Sequence, residues 1–319
     1  MLVDPERSYD LIGDVHGCAH TLARLLEQLG YSRHGDVWRH PRRQVIFLGD
    51  IIDRGPRIRE ALHLVHAMVD AGQAHCIMGN HEFNALGWYA PAPPESGKAF
   101  VRDHTPRYAM LLQHTFQQFE HYPQEWADFR EWFMTLPLYL ENERFRVVHA
   151  CWDNAVISQL RERLVNGCVD PAFLRDAAFA QGFAAKALDR LLRGTDMPLP
   201  EGLTLTSAEG FTRSFFRTKF WEENPQTYGD IVFQPDGLPE KAARVPLSDS
   251  QKSKLFLYGP DDPLLFVGHY WRSGTPAPIR PNLACLDYSA VKYGKLVAYR
   301  LDEETRLDPA KFVWVDVER

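Results

Sequence analysis

The chain has 319 residues, 45% of them apolar, which is enough to bury one large core or two modest ones. Its 36 basic and 42 acidic residues give a net charge of -6, without the positive footprint that holds long nucleic acid by its phosphates. Small phosphorylated molecules, nucleotides or phosphoproteins remain as partners, because they need only local positive charge. Five widely spaced cysteines with no Cys-x-x-Cys pair argue against a disulfide framework or a structural zinc site and favour a reducing cytoplasm. No signal-type run precedes Tyr9, and no stretch of about 18 apolar residues is present, so a soluble protein without a membrane span is expected.

Short apolar runs alternate with amphipathic helices over the first third, the pattern of successive β-α units. Residues 9–12 read as a strand that runs into Gly13-Asp14. Leu22, Leu25, Leu26 and Leu29 fall at helical spacing, and Gly30 ends that element. Residues 44–48 make a second strand; Ile58, Ala61, Leu62, Val65, Met68 and Val69 make a second buried helical face. Residues 75–78 make a third strand, again running into glycine. From 91 to about 140 the chain reads as a helical insertion, a Pro-rich loop followed by helices over 107–119 and 125–134. Residues 145–148 resume the strand pattern, 155–193 are mostly helical, and 195–262 form an irregular insertion rich in Pro, Gly and Asp. Strands over 264–267, 283–286, 295–301 and 312–317 supply a second sheet. The economical reading is one α/β domain over 1–319.

Five segments put oxygen and nitrogen ligands where these strands end: Gly13-Asp14-Val15-His16-Gly17, Gly49-Asp50-Ile51-Ile52-Asp53-Arg54-Gly55, Gly79-Asn80-His81-Glu82, Val148-His149-Ala150 and Gly268-His269. Open α/β sheets bind ligands at that edge. Two divalent ions about 3.5–4 Å apart need carboxylate, amide and imidazole ligands and one group that bridges them. Asp14 and His16 can face one ion, Asp50 is the natural bridge, and Asn80, His149 and His269 complete the second. A single Asp or His on a turn is usually a cap or loop residue. Five strand ends carrying ligand residues together are not explained that way.

The first three motifs, in order and spacing, make the chain resemble the phosphoprotein phosphatase family of the calcineurin-like metallophosphoesterases, from about residue 8 to 301. The resemblance implies a two-sheet β-sandwich flanked by helices and two divalent metals, manganese first, with iron, zinc or nickel also suited to these donors. A metal-bridging hydroxide would attack the phosphoryl group. His81 would then donate a proton to the leaving oxygen, and Asp53 would orient it. Arg54 offers a planar fork for two phosphoryl oxygens. Phe211-Thr212-Arg213 resembles a segment of diadenosine tetraphosphatases and makes Arg213 the candidate for a second phosphate-binding arginine, with Arg217 its competitor.

The departures are informative too. Branches of the superfamily that cleave cyclic nucleotides or nucleic acids end in Gly-His-x-His, whereas here the last position is Trp271, which favours the phosphatase and diadenosine-tetraphosphatase side. Leu286-Asp287-Tyr288 through Gly294-Lys295-Leu296 is similar to the C-terminal strand pair of those enzymes, with Tyr288-Ser289 departing from it. Cys151-Trp152 replaces the small residues common after His149. Trp152, Tyr270 and Trp271 are either core or a stacking surface for a base, and Cys151 reads as a small buried residue. The expected function is hydrolysis of a phosphoprotein or small phosphomonoester. Symmetrical diadenosine tetraphosphate hydrolysis is the alternative among enzymes, and a non-catalytic metal-binding scaffold the alternative of another class.

Overall fold

The computed structural model describes residues 3–206, 210, 212–233 and 238–318. The chain divides into two compact units: one formed by residues 1–192 and 263–319, the other by Arg193–Asp262. The second coincides closely with the stretch that reads as irregular in the sequence.

The first unit is a sandwich of two sheets. In the larger, Ser8–Ile12 pairs in parallel with Arg43–Phe47, which pairs in parallel with Ala74–Cys76. On its other side Ser8–Ile12 meets Lys295–Leu301 antiparallel, and Lys295–Leu301 also holds Asp287–Tyr288 and Phe312–Asp316. The smaller sheet runs Leu283–Cys285, Leu264–Val267, Phe145–Val148, Tyr139–Glu141, with only the last pair antiparallel. The C-terminal strands therefore feed both sheets rather than building the second alone. Lys295–Leu301 carries Val297 and Tyr299 at alternate positions into the apolar layer, and its other edge is paired, so it is a central strand buried among neighbours.

Alternation explains the layer between the sheets. Tyr9 and Leu11, Phe145 and Val147, and Val297 and Tyr299 point to one side, where they meet Ile46, Leu48, Phe266 and Leu286. Helices Ala19–Gln28 and Ile58–Asp70 bury the leucine and valine stripes read from the sequence. Two helices, Pro106–Phe119 and Pro123–Phe133, fill the expected insertion, each opened by a proline whose missing N–H is harmless there. Helix Asn80–Tyr89 precedes them, and the hairpin Ser32–His34 with Val37–Arg39 is an addition to the sequence reading.

The second unit has its own small core of Met197, Leu199, Phe216, Tyr228, Ile231 and Leu247, around the antiparallel pair Thr195–Pro198 and Phe215–Thr218.

Within the first unit, on the sheet face away from the sandwich layer, Asp10 is fully buried as a carboxylate. Arg43 Nε donates to both of its oxygens at 3.0 Å, Arg300 Nε donates at 3.1 Å and the Tyr31 hydroxyl at 3.0 Å. Arg43 also donates to the carbonyls of Tyr9 and Leu301, stitching three strands together. Removing one partner of such a pair leaves a buried charge uncompensated. Arg43→Met should lower the unfolding free energy by about 3–5 kcal/mol in a urea titration, whereas Met at the exposed Arg42 should change it by no more than about 0.5 kcal/mol.

Candidate metal centre

The five motifs follow the strands Ser8–Ile12, Arg43–Phe47, Ala74–Cys76, Phe145–Val148 and Leu264–Val267, four of them in loops and the third on the first turn of helix Asn80–Tyr89. Five non-glycine residues in these loops take left-handed backbone: His16 (φ 43°), Asp50 (52°), Asp53 (69°), Arg54 (67°) and His269 (63°). Such conformations cost about 1–3 kcal/mol each and persist only where surrounding contacts impose them. Two glycines allow the loops to close on one another. A Cβ on Gly79 would lie 2.2 Å from Asp50 Oδ1, and one on Gly268 2.2 Å from Asp14 Oδ1.

Asp50 is the meeting point. Its carboxylate accepts a hydrogen bond from the His81 backbone N–H at 2.9 Å, at the N-terminus of helix Asn80–Tyr89, where an anion is favoured. His149 Nε2 is 3.3 Å from its Oδ2, His16 Nε2 3.7 Å and His81 Nε2 3.9 Å. Two ligand groups share this residue: His16, Asp50 and His81, and Asp50, His149 and His269. Asn80 Oδ1 sits 3.0 Å from His149 Nε2 and 2.9 Å from His269 Nδ1. Asp14 faces the same loops, with the His269 backbone N–H donating to its carboxylate at 3.2 Å.

The imidazole faces fit a cation. His16 Nδ1 lies 2.8 Å from the Ile52 carbonyl, and His149 Nδ1 2.7 Å from that of Leu48. A carbonyl only accepts, so both Nδ1 atoms carry a proton; His16, which burial pushes well below its ordinary pKa, turns its Nε2 lone pair inward, whereas His149 is held protonated by Asp50 and would offer its Nε2 lone pair once a cation takes the place of that proton. His16 Nε2 is buried with no hydrogen-bond partner. Lone pairs of imidazole, amide carbonyl and carboxylate thus converge, a donor set for borderline divalent metals. The electrostatics agree. Burial works against charge on Asp50, yet His149 and His81 hold it well below the usual carboxylate range. Burial would likewise lower His149, but Asp50 carries it up to about 10. Burial, then Asp287, pushes Asp14 well above its ordinary value. Buried anionic charge of this density is answered more fully by divalent cations than by a proton.

Beside this cluster, His81 Nδ1 is 2.6 Å from Asp53 Oδ2, and the Thr115 hydroxyl donates to the other Asp53 oxygen. Burial pushes the Asp53 carboxyl up to about 8, with Thr115 opposing it. Thr115 belongs to helix Pro106–Phe119. Gln118 of the same helix donates to the Gly55 carbonyl at 3.1 Å and accepts from Ile58 N at 2.6 Å, so the helical insertion clamps the Asp53-Arg54-Gly55 turn. Arg54 lies with its Cζ 4.6 Å from the centre of the Trp271 ring, and its buried NH1 has no partner.

Arg213 and Arg217 belong to the second unit, where Arg217 pairs with Asp196 at 3.7 Å; Phe211 lies outside the described residues. Trp152 and Tyr270 are core residues. Trp152 is fully buried, edge-on to Tyr139, and donates from Nε1 to Asn154, and Tyr270 is 1% exposed. Cys151 is equally buried, and burial pushes its thiol up to about 12, which leaves no nucleophile there.

Three contributors escape the sequence reading. Thr115 carries no motif. Asp287 is visible only as part of a strand pair, yet it is buried beside Asp14, with Oδ2 unpartnered and, chiefly through burial, its pKa raised to about 6. Glu82 is the third. Fully buried, it accepts from the backbone N–H groups of Gly79 (3.0 Å), Asp50 (2.8 Å) and Ile51 (2.8 Å), tying the second motif to the third. An acid at the third position of a helix signals a reach back to the N-cap, but not a bond to a different loop. Glu82→Gln replaces one acceptor oxygen by a donor amide facing backbone N–H groups. Metal affinity, measured by competition with a chelating dye, should fall about 10–100-fold.

Known proteins share parts of this sequence and its fold. The model of the calcineurin-like phosphoesterase family matches residues 9–270. The asymmetrical bis(5′-nucleosyl)-tetraphosphatase PrpE of Oceanobacillus iheyensis is 34% identical over 142 residues, 44% of this chain and 54% of that protein. Its namesake from Bacillus subtilis is 36% identical over 75 residues, 23% of this chain and 31% of that protein. The chain thus spans about half the length, or less, of these curated relatives. A serine/threonine phosphatase from Saccharomyces cerevisiae with similarity to human phosphatase PP5 superposes with a TM-score of 0.52 at 15% identity, over 99% of this chain and 81% of that one, a likeness of fold. With a family model that runs from the first strand through the last histidine motif, the chain belongs to the calcineurin-like phosphoesterases.

Proposed function

We propose that the chain hydrolyses phosphate esters at a two-metal centre, with a phosphoserine or phosphothreonine protein or a small phosphomonoester as substrate. The observation that carries this reading is the sharing of Asp50 between two ligand groups, with the unpartnered Arg54 NH1 and the His81–Asp53 pair beside them. Asp14, His16 and Asp50 would hold one cation and Asp50, Asn80, His149 and His269 the other, with manganese proposed ahead of iron, zinc or nickel. When bound, such a pair neutralises phosphoryl charge and acidifies water to near neutral pH.

The remaining work falls to side chains. Arg54 presents NH1 to a phosphoryl oxygen, a charge-assisted bond stronger than a neutral one. His81 gives its proton to the leaving oxygen from Nε2, while Asp53 fixes the ring through Nδ1. The Thr115 hydroxyl orients Asp53 in turn. We also take residues 193–262 as an insertion in a single catalytic domain, because chain from both sides of it forms the first unit. The five unpaired cysteines support a cytoplasmic setting. Among the described residues no helix is long and apolar enough to cross a membrane.

A second reading, cleavage of dinucleoside tetraphosphates, is favoured by the names of the curated relatives, and those names point to asymmetrical rather than symmetrical cleavage. A scaffold without activity is disfavoured by the completeness of the donor set.

Manganese-loaded protein should turn over p-nitrophenyl phosphate about 100-fold or more faster than Asp50→Asn; equal rates end the hydrolase reading for this site. His81→Asn separates proton donation from metal ligation. Metal content by mass spectrometry should be retained, while kcat for an alkyl phosphate falls about 100-fold or more and kcat for an aryl phosphate, whose leaving group needs less protonation, falls far less. Loss of metal on that substitution would instead make His81 a ligand.

A further inference from the structure

Trp271 holds a second cation besides Arg54. Lys292 Nζ lies 3.7 Å from the centre of the Trp271 ring, against 4.6 Å for Arg54 Cζ, so the two cations are no farther apart than the sum of those distances. The contact joins two loops that are also bonded to each other. Arg272 N donates to the Asp287 carbonyl at 3.0 Å, and the Ser289 hydroxyl donates to the Arg272 carbonyl at 3.4 Å. Lys292 ends the short helical turn Ala290–Lys292, bracketed by left-handed Ser289 and Tyr293 and closed by the bond from Lys292 N to the Ser289 carbonyl at 2.8 Å. Its stem is therefore anchored, its ammonium is solvent-accessible, and a cation–π contact of this kind restricts where that charge sits.

An aromatic ring in contact with two cations keeps like charges close. That is favourable for binding an anion that carries its charge on two neighbouring centres. Arg54 is close enough to the cluster of Asp50 and the histidines to act on His16 and Asp53, and Lys292, an exposed residue, meets the same indole. A single phosphoryl group on Arg54 leaves Lys292 unused, whereas a chain of phosphoryl groups reaches both.

We propose that Lys292, held over Trp271, binds the phosphoryl group next to the one on Arg54 and so gives oligophosphate compounds, such as nucleoside polyphosphates, an advantage over monoesters, which shifts the balance from the first substrate reading above to the second. This rests on the reading of Arg54 as the residue that binds the attacked phosphoryl group. It makes Trp271 a positioning residue for both cations, and it supplies a second phosphate contact from the first unit.

The test compares ADP with AMP, which differ by one phosphoryl group, by calorimetry on protein with manganese in excess. ADP should bind about tenfold more tightly than AMP to the unaltered protein. Lys292→Met keeps the apolar stem and should bring the two affinities to within about twofold, chiefly by weakening ADP, and Lys292→Arg should restore most of the difference. Lys292→Met should likewise lower kcat/KM for tripolyphosphate more than for p-nitrophenyl phosphate, and Lys292→Arg should recover most of that loss. Equal affinity of the unaltered protein for ADP and AMP, or equal weakening of both by Lys292→Met, overturns the proposal. If p-nitrophenyl phosphate is not hydrolysed but ADP is still preferred through Lys292, the hydrolase reading fails and the role of Lys292 stands.

Discussion

Asp50 is a carboxylate with 2% exposure at the meeting point of loops from both sheets, and the architecture of the site follows from keeping it charged there. A buried carboxylate without partners would take up a proton or unfold its surroundings. Here the N-terminus of helix Asn80–Tyr89 donates to it, imidazoles surround it, and Glu82 holds the backbone on which it sits. Glu82 is itself a buried acid, satisfied by backbone N–H groups alone, and burial, then the Asp50 charge, pushes its pKa up to about 7. Two acids in contact through one loop form a strained arrangement, and the left-handed residues around them show where the strain is carried. The sandwich core and the Asp10–Arg43 network, carried by the same strands that lead into the first two motifs, supply the rigidity that makes the arrangement tolerable.

Local signals in the sequence mark the side chains that meet at Asp50, because ligand-type residues stand at strand ends next to glycine. Gly79 and Gly268 are examples: each is required by contact with a carboxylate from another motif, so the glycine and the ligand appear as one pattern. The helix stripes of 22–29 and 58–69 are legible for a similar reason, since each is a local periodicity satisfied by burial on one face. Strand partnership is not local. Nothing in Lys295–Leu301 announces that it will pair with Ser8–Ile12 rather than with Leu283–Cys285, because any apolar strand fits any apolar neighbour until register and twist are fixed in three dimensions.

Contacts between a motif and an unmarked residue are hidden in the same way. Thr115 and Gln118 look like ordinary surface positions of an amphipathic helix, one turn apart. Only the docking of Pro106–Phe119 against the Asp53-Arg54-Gly55 turn makes them supports of the His81–Asp53 pair. The helical insertion, which the sequence presents as a departure in composition, is thus part of what holds Asp53 in place. Asp287 is a further case. Its significance comes from burial beside Asp14, and strands distant in sequence create that proximity.

Trp271 shows how one substitution can move a function from one chemical task to another. A histidine at this position could serve a metal, as the Gly-His-x-His pattern of other branches implies; an indole offers no lone pair for a cation to bind. What it offers is a flat, electron-rich face, and that face lies under the guanidinium of Arg54. Arginine on a left-handed backbone, with one nitrogen buried and unpartnered, would otherwise be free to swing toward the acids around it. The ring opposes that collapse without neutralising the charge, as a carboxylate partner would, so the guanidinium remains available to a phosphoryl group. The want of a lone pair for a cation and the fixing of the Arg54 guanidinium are in this sense two aspects of the same side chain.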